Sequence, residues 1–414
     1  MPTVDKPSFS YDPYSPEAMS DPLPFYRILR DRHPVYWLEE YDAWAISRFE
    51  DVYSVLADPD GHFVATNHTV IGRSGLASLE RGAIRRPSLD PLESFNRLDD
   101  PQYGEVRQAM GAPFRPRAAS RLEPFVREQA RQLLDELAPR RSFDVVAEYG
   151  GQVAARTMCW LFGLPLERAA ELLQAVNGMA HMDSVTGNFT EDRLHFAERW
   201  MAVAHEAVER RRAAGADGSV PAIDGLIHHE FDGRRLSDSE LAPQVGLVLV
   251  GGSETLPKVV GHGLLELQRH PVQREEVGAD PDRLKTALEE MIRFCAPAQF
   301  FLRTVRKPIE IGGKQLRPGQ RVLPLNMSAN RDEREFEAPD EFRWNRVMER
   351  HLSFGQGMKF CLGTHVARLE GRVLLEELIR RIPRYAIDEA TAQRPPSSFQ
   401  WGYDHLTLHT DTKD

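Results

Sequence analysis

Apolar positions recur with helical spacing through the middle of the chain. In FVREQARQLLDELA and in FAERWMAVAHEAVERRRAA they fall at i, i+3, i+4 and i+7, which predicts amphipathic helices. Helical patterns dominate from about Gln102 to Glu290. The run SDSELAPQVGLVLVGGSETLPKVVGHGLLELQRHP is long and apolar almost all round, so it predicts a buried helix. Asp238 or Ser239 is the expected cap, and Pro271 lies just past the end. Two stretches break the pattern. Aromatic and β-branched residues flank a charged turn in PVYWLEEYDAWAIS (34–47), and GG and PG turns divide VRKPIEIGGKQLRPGQRVLPL (305–325). Both read as short strands. An extended arm precedes a short helix at Pro24–Arg32, 60–98 is irregular, and 326–350 is loop-like. A last helix is expected to start at Cys361, with Val366, Leu369 and Val373 on one face, and to stop before Pro383. The expected fold is mainly α with a small β portion. There are no repeats and no clear domain boundary.

Composition narrows the function. The chain has 414 residues, is 41% hydrophobic and 28% charged, and so suits a globular protein with a large core. A net charge of −10 argues against general nucleic-acid affinity. Three cysteines, Cys159, Cys295 and Cys361, are too few and too scattered for a disulfide framework, a zinc knuckle or a four-cysteine iron–sulfur cluster. The polar, Pro-rich start and the lack of about 18 consecutive apolar residues point to a cytoplasmic protein with no membrane span. Cys159 and Cys295 sit in apolar surroundings and read as inert core. His228-His229-Glu230 reads as solvated, since adjacent helical residues diverge.

The third cysteine stands in HLSFGQGMKFCLG. Gly355 and Gly357 permit tight backbone, and a helix start at Cys361 stabilises a thiolate. With no His or Asp partner near in sequence, that thiolate suits metal ligation better than nucleophilic attack, and haem iron takes such a ligand axially. A structural cysteine in a Gly-rich turn remains the alternative on these grounds alone.

FGQGMKFCLG resembles the haem-binding signature of the cytochromes P-450. Phe354, Gly355, Gly357, Cys361 and Gly363 match it, as do Ala367, Arg368 and Glu370 in the continuation. Lys359 departs from the usual His or Arg, keeping a cation without the guanidinium fork. Glu290 and Arg293, one helical turn apart, with Arg346 in PDEFRWNR, resemble the family's structural Glu–Arg–Arg network. Gly251-Gly252-Ser253-Glu254-Thr255 resembles its oxygen-activation motif. The resemblance implies Thr255 beside the oxygen, Glu254 as proton carrier, and room for oxygen at Gly251 and Gly252. Pro257 cannot donate to the Ser253 carbonyl, which predicts an unusually open helix at 251–254.

The resemblance spans about residues 12–410. It implies one triangular domain (1–414, with 1–11 a flexible arm), holding haem b with the Cys361 thiolate as axial ligand. Arg107, Arg303 and His351 would meet the propionates, with Tyr103 as a neutral donor where the family often has His. The implied activity is a monooxygenase that inserts one atom of dioxygen into a small apolar, ring-containing substrate. Phe300, Phe301, Phe399 and Trp401 are the aromatic candidates, and the expected pocket segments are 64–95, 173–190, 244–252, 296–302 and 398–402. Electrons would come from NAD(P)H through a separate ferredoxin and reductase, docking near Arg115, Arg117, Lys359 and Arg372. A peroxide-driven peroxygenase or reductase is the alternative on the same fold, and Glu254-Thr255 argues against it. A non-catalytic haem sensor is a third reading.

Overall fold

A computed structural model describes residues 9–66 and 69–410. Helix makes up 53% and strand 12%, so the mainly α expectation holds. The helices that position the site are α1 (Gln102–Met110), α2 (Glu123–Leu137), α3 (Gly151–Leu161), α4 (Ala169–Ala180), α5 (Arg193–Ala213), α6 (Asp238–Arg269), α7 (Arg283–Cys295) and α8 (Thr364–Arg381). Helix α6 is the spine: α3, α4, α5, α7 and α8 all pack on it. Its apolar residues are buried on most sides, which is why its sequence is apolar almost all round.

The strands are β1 (Val35–Leu38), β2 (Ala43–Ile46), β3 (Phe63–Val64), β4 (Ser142–Asp144), β5 (Arg303–Val305), β6 (Arg321–Pro324), β7 (Ala386–Gln393) and β8 (His405–His409). One sheet has the order β1-β2-β6-β5-β3, and a second runs β7-β8-β4. The β1–β2 hairpin is in register Val35↔Ile46 to Leu38↔Ala43. Between β5 and β6, Ile309–Ile311 and Lys314–Leu316 pair as a hairpin over the GG turn.

Four local expectations are corrected. The cap of α6 is Ser237, in a capping box with Glu240, one residue before the expected start. Helix α8 begins at Thr364, not at Cys361, because Cys361 donates its N–H to the Phe354 carbonyl (2.8 Å) and so belongs to the loop. Of the arm expected at 1–11, residues 1–8 lie outside the described residues, and Tyr11 is buried against Phe25, Tyr26 and Tyr36. Helix α6 also runs unbroken through Pro257, with no opening at 251–254. The proline ring packs on Gly150, where even a methyl would stand 3.4 Å from it, so the ring meets backbone that leaves it room.

The irregular segment before α1 is tied to the first turns of α6. Leu92 N–H donates to Glu240 Oε1 (2.6 Å) and Phe95 N–H to Gln244 Oε1 (2.7 Å). Gln244 returns a bond to the Glu93 carbonyl (3.0 Å).

Candidate functional site

The cysteine loop is held from behind by a buried ion network. Glu290 accepts two bonds from Arg293 (2.7 and 2.8 Å) and two from Arg346 (3.1 and 3.0 Å). The Arg343 N–H adds a further bond at 3.0 Å. Arg293 also donates to the Asn330 carbonyl (2.7 Å), and the Asn330 side chain bonds Leu352 N–H (2.7 Å) and Ser353 Oγ (2.8 Å). The three residues singled out in the sequence therefore meet, and a chain of hydrogen bonds carries their rigidity into the loop. Asn330, which completes it, carries no sequence signal.

Within the loop Gly355 and Gly357 take φ of +69° and +67°, a conformation that side chains disfavour. A Cβ at Gly357 would stand 2.6 Å from the Ala57 and Leu56 carbonyls, so glycine is required there. Burial raises the Cys361 thiol pKa, while the Gly363 N–H and the charges of Arg107 and Arg368 favour the thiolate. A methyl added at Gly363 would meet nothing within 4 Å.

Beside the loop, cations gather with little to balance them. Arg107 donates to the Tyr103 hydroxyl (2.9 Å), and the Lys359 ammonium lies 3.7 Å from the centre of the Tyr103 ring. Lys359 also bonds the Leu98 carbonyl, with Asp99 at 3.9 Å. Burial lowers Lys359 to about 7; Asp99 opposes this, while nearby Arg303 and Arg107 add to it. Arg303 is 8% exposed and donates only to the Phe301 and Leu302 carbonyls (3.3 and 3.2 Å). Among the described residues it has no carboxylate in ion-pair contact. Three cations and a phenol stand near Asp99, with Asp58 and Asp100 acting from farther off, and Arg303 still lacks an ion-pair partner; an added dianion suits this set, which so fits the propionates of a haem. His351, the fourth residue expected at the propionates, is tied to the head of the loop. Its Nε2 contacts Glu289 at 3.2 Å, and Arg368 shares that carboxylate.

The mid-section of α6 is buried except for one face. Leu247, Val248 and Thr255 are half-buried and Gly251 is exposed, on positions that line up along the helix. A methyl at Gly251 would meet nothing within 4 Å, whereas one at Gly252 would stand 2.1 Å from Met158 Sδ. Gly251 faces free space as expected; Gly252 instead lets α3 approach. Thr255 Oγ donates to the Gly251 carbonyl at 3.4 Å. Glu254 is 5% exposed, and its Oε1 has no hydrogen-bond partner. Burial pushes its carboxyl pKa up, and Lys258, one turn on, pulls part of the way back.

Of the aromatic candidates, Phe301 (37% exposed) and the half-buried Phe399 form an edge-to-face pair with centroids 5.1 Å apart. Phe300 and Trp401 are core, packed with Tyr14, Leu302 and Leu325. Within the expected 64–95 segment, Asn67 and His68 lie outside the described residues. Of the docking cations, Arg115 and Arg117 are exposed, but Lys359 points inward and Arg372 pairs with Glu123 and Glu376. Cys159 and Cys295 are buried, and burial pushes both thiols up to about 12, as inert core thiols should be. No group of three metal-ligating side chains occurs among the described residues. Nor is any described helix long and apolar enough to cross a membrane.

Residues 94–407 match the family described as Cytochrome P450. A cytochrome P450 of Mycobacterium tuberculosis, number 123, is 32% identical over 99% of both chains. A methyl-branched lipid omega-hydroxylase from the same organism is 31% identical over 84% of this chain and 80% of its own. Among solved structures, a Mycobacterium marinum cytochrome P450 in complex with pseudoionone superposes with a TM-score of 0.85 at 25% identity, covering 98% of this chain and 100% of that one. A mutant of P450 EryK in complex with erythromycin B gives 0.82 at 27%, covering 96% and 98%.

Proposed function

Because this chain belongs to the cytochrome P450 family and is a monooxygenase of that family, we propose that it holds haem b through Cys361 and hydroxylates a small apolar, ring-containing compound. The observation that carries the haem assignment is the cation cluster of Arg303, Arg107 and Lys359 beside the Cys361 loop, in which Arg303 has no ion-pair partner among the described residues. In this reading Tyr103, Arg107, Arg303 and Lys359 bind the propionates, and Phe354, Gly355 and Gly363 shape the loop under the ring. His351 joins them at the propionates, with its ring held by Glu289.

When bound, the haem supplies dioxygen activation: substrate, dioxygen, two electrons and two protons become hydroxylated substrate and water. The chain's own residues do the rest. Gly251 leaves space over one face. The Thr255 hydroxyl donates or accepts a proton there, and Glu254, kept dry by burial, resupplies it. Leu247, Val248, Phe301 and Phe399 exclude water and favour apolar substrate. Electrons come from NAD(P)H through a ferredoxin and its reductase, with the exposed Arg115 and Arg117 drawing an acidic donor.

The test is the reduced, carbon-monoxide-bound spectrum. Wild type is expected to give the red-shifted band of a thiolate-ligated haem, and Cys361→Ser to lose it. Cys159→Ser and Cys295→Ser are expected to keep it. A thiolate band surviving in Cys361→Ser would refute the ligand assignment. A substrate-induced Soret shift, screened over ring-containing apolar compounds, tests the substrate class. Turnover with NAD(P)H, ferredoxin and reductase against peroxide alone tests the electron source.

A further inference from the structure

Glu254 is sealed from solvent, yet a chain of ionisable groups reaches from its side to the surface. Lys258 lies one turn along α6 on the same face, and its ammonium donates to Asp404 Oδ1. His181, at the end of α4, bonds Asp404 Oδ2 through Nε2 at 3.0 Å. Exposure is graded along the chain: the side chains of Lys258 and Asp404 are 3% and 7% exposed, while His181 is 41% exposed. Burial raises the Asp404 pKa, but the bonds from His181 and Lys258 hold it below its usual range. Lys258, Asp404 and His181 are also the ionisable groups whose charges act on Glu254. Gly402 lets the lysine lie flat here, since a Cβ would stand 2.8 Å from Lys258 Cβ.

We propose that His181, Asp404 and Lys258 form a proton route from solvent to Glu254. The inference rests on the reading of Glu254 as proton carrier and names what refills it. A proton taken up by the His181 imidazole leaves Nε2 for Asp404 Oδ2. No direct hydrogen bond or ion pair joins Lys258 to Glu254 among the described residues, so a water relays the proton that Lys258 gives to the Glu254 carboxylate, and Lys258 takes one back from Asp404. One proton crosses and no electrons move; Lys258 and Asp404 return to their starting states, and the imidazole, which takes its proton at Nδ1 and loses one at Nε2, resets by tautomerising through solvent. The three residues come from three separate elements, and only His181 touches bulk water appreciably. A merely structural ion pair would need no exposed imidazole on its outer oxygen.

The test follows the Glu254 carboxyl directly in the full-length, haem-loaded ferric protein. Its infrared stretch, identified by its loss in Glu254→Gln, shifts when the proton is replaced by a deuteron after mixing with D2O. In His181→Gln, a surface change that keeps a hydrogen bond, this exchange is expected to slow by about tenfold or more. Lys258→Met with Asp404→Leu removes both charges together, so it avoids an orphaned ion and is expected to slow exchange similarly. An unchanged Soret band in each variant shows that the fold is intact. Wild-type exchange in both variants overturns the route. Wild-type coupling of electrons to product in Glu254→Gln overturns the role of Glu254 itself, whatever the exchange rates.

Discussion

Glu290→Gln probes the brace behind the cysteine loop. The carboxylate is fully buried and accepts five hydrogen bonds, from Arg293, Arg346 and the Arg343 N–H. Glutamine keeps one acceptor oxygen but turns an NH2 group toward guanidinium donors, and it leaves two buried cations without their shared anion. Breaking a buried pair in this way costs about 3–5 kcal/mol. The guanidiniums keep their bonds to the Asn330, Pro339, Ala338 and Glu341 carbonyls, which places the loss within that range rather than above it. Against a total stability of about 5–15 kcal/mol, such a loss is a large fraction. Urea unfolding followed by circular dichroism measures it from the midpoint and slope. Because Asn330 links Arg293 to Leu352 and Ser353, the carbon-monoxide band is also expected to convert in part from the thiolate to the thiol form at urea concentrations below global unfolding. A loss under about 1 kcal/mol would refute the reasoning, since it would class the network with exposed ion pairs.

Three further outcomes follow from the geometry. Glu370 is buried with Oε1 unpartnered, and burial raises it from 4.5 to about 8. The folded protein then holds a proton there that the unfolded chain has lost, so stability is present below pH 4.5 and falls as pH rises to about 8; Glu370→Gln is expected to flatten that slope and to raise the melting temperature at pH 8.5, and an unchanged profile would count against it. Gly251→Ala gains about 1 kcal/mol of helix propensity at no steric cost but narrows the space beside it, so melting temperature rises while substrate-induced Soret shifts weaken; Gly252→Ala must displace Met158 and is expected to destabilise instead. Thr255→Ala is expected to retain substrate binding while diverting electrons to hydrogen peroxide, and full coupling in that variant would place the hydroxyl outside the proton path.

Elements governed by local repetition were readable in the sequence, whereas features set by distant contacts were not. The spacing of apolar residues located the long helices, and the turns located the hairpins. The cysteine loop, Glu290, Arg293 and Arg346 were legible because residue type and order are constrained together there. Gly252 was misplaced because adjacent helical residues point about 100° apart, and only the approach of Met158 from α3 decides which glycine faces the space. Pro257 looked disruptive because it removes one donor from the Ser253 carbonyl, yet the bonds on either side and the packing around α6 carry the helix through. Phe300 and Trp401 could not be separated from Phe301 and Phe399 by type. Likewise, nothing in the spacing of His181, Lys258 and Asp404 announces that they meet.

The bonds that fasten residues 92–95 to Glu240 and Gln244 have a mechanical consequence. That segment precedes α1, which carries Tyr103 and Arg107, so the approach to the cation cluster is anchored to the same helix that carries Glu254 and Thr255. In the proposed reading these groups flank the reaction space, and their shared fastening to α6 is expected to keep them in one frame. On that reading, widening the space for an incoming compound falls to elements without such fastenings, so that substrate entry need not disturb the alignment of the chemistry.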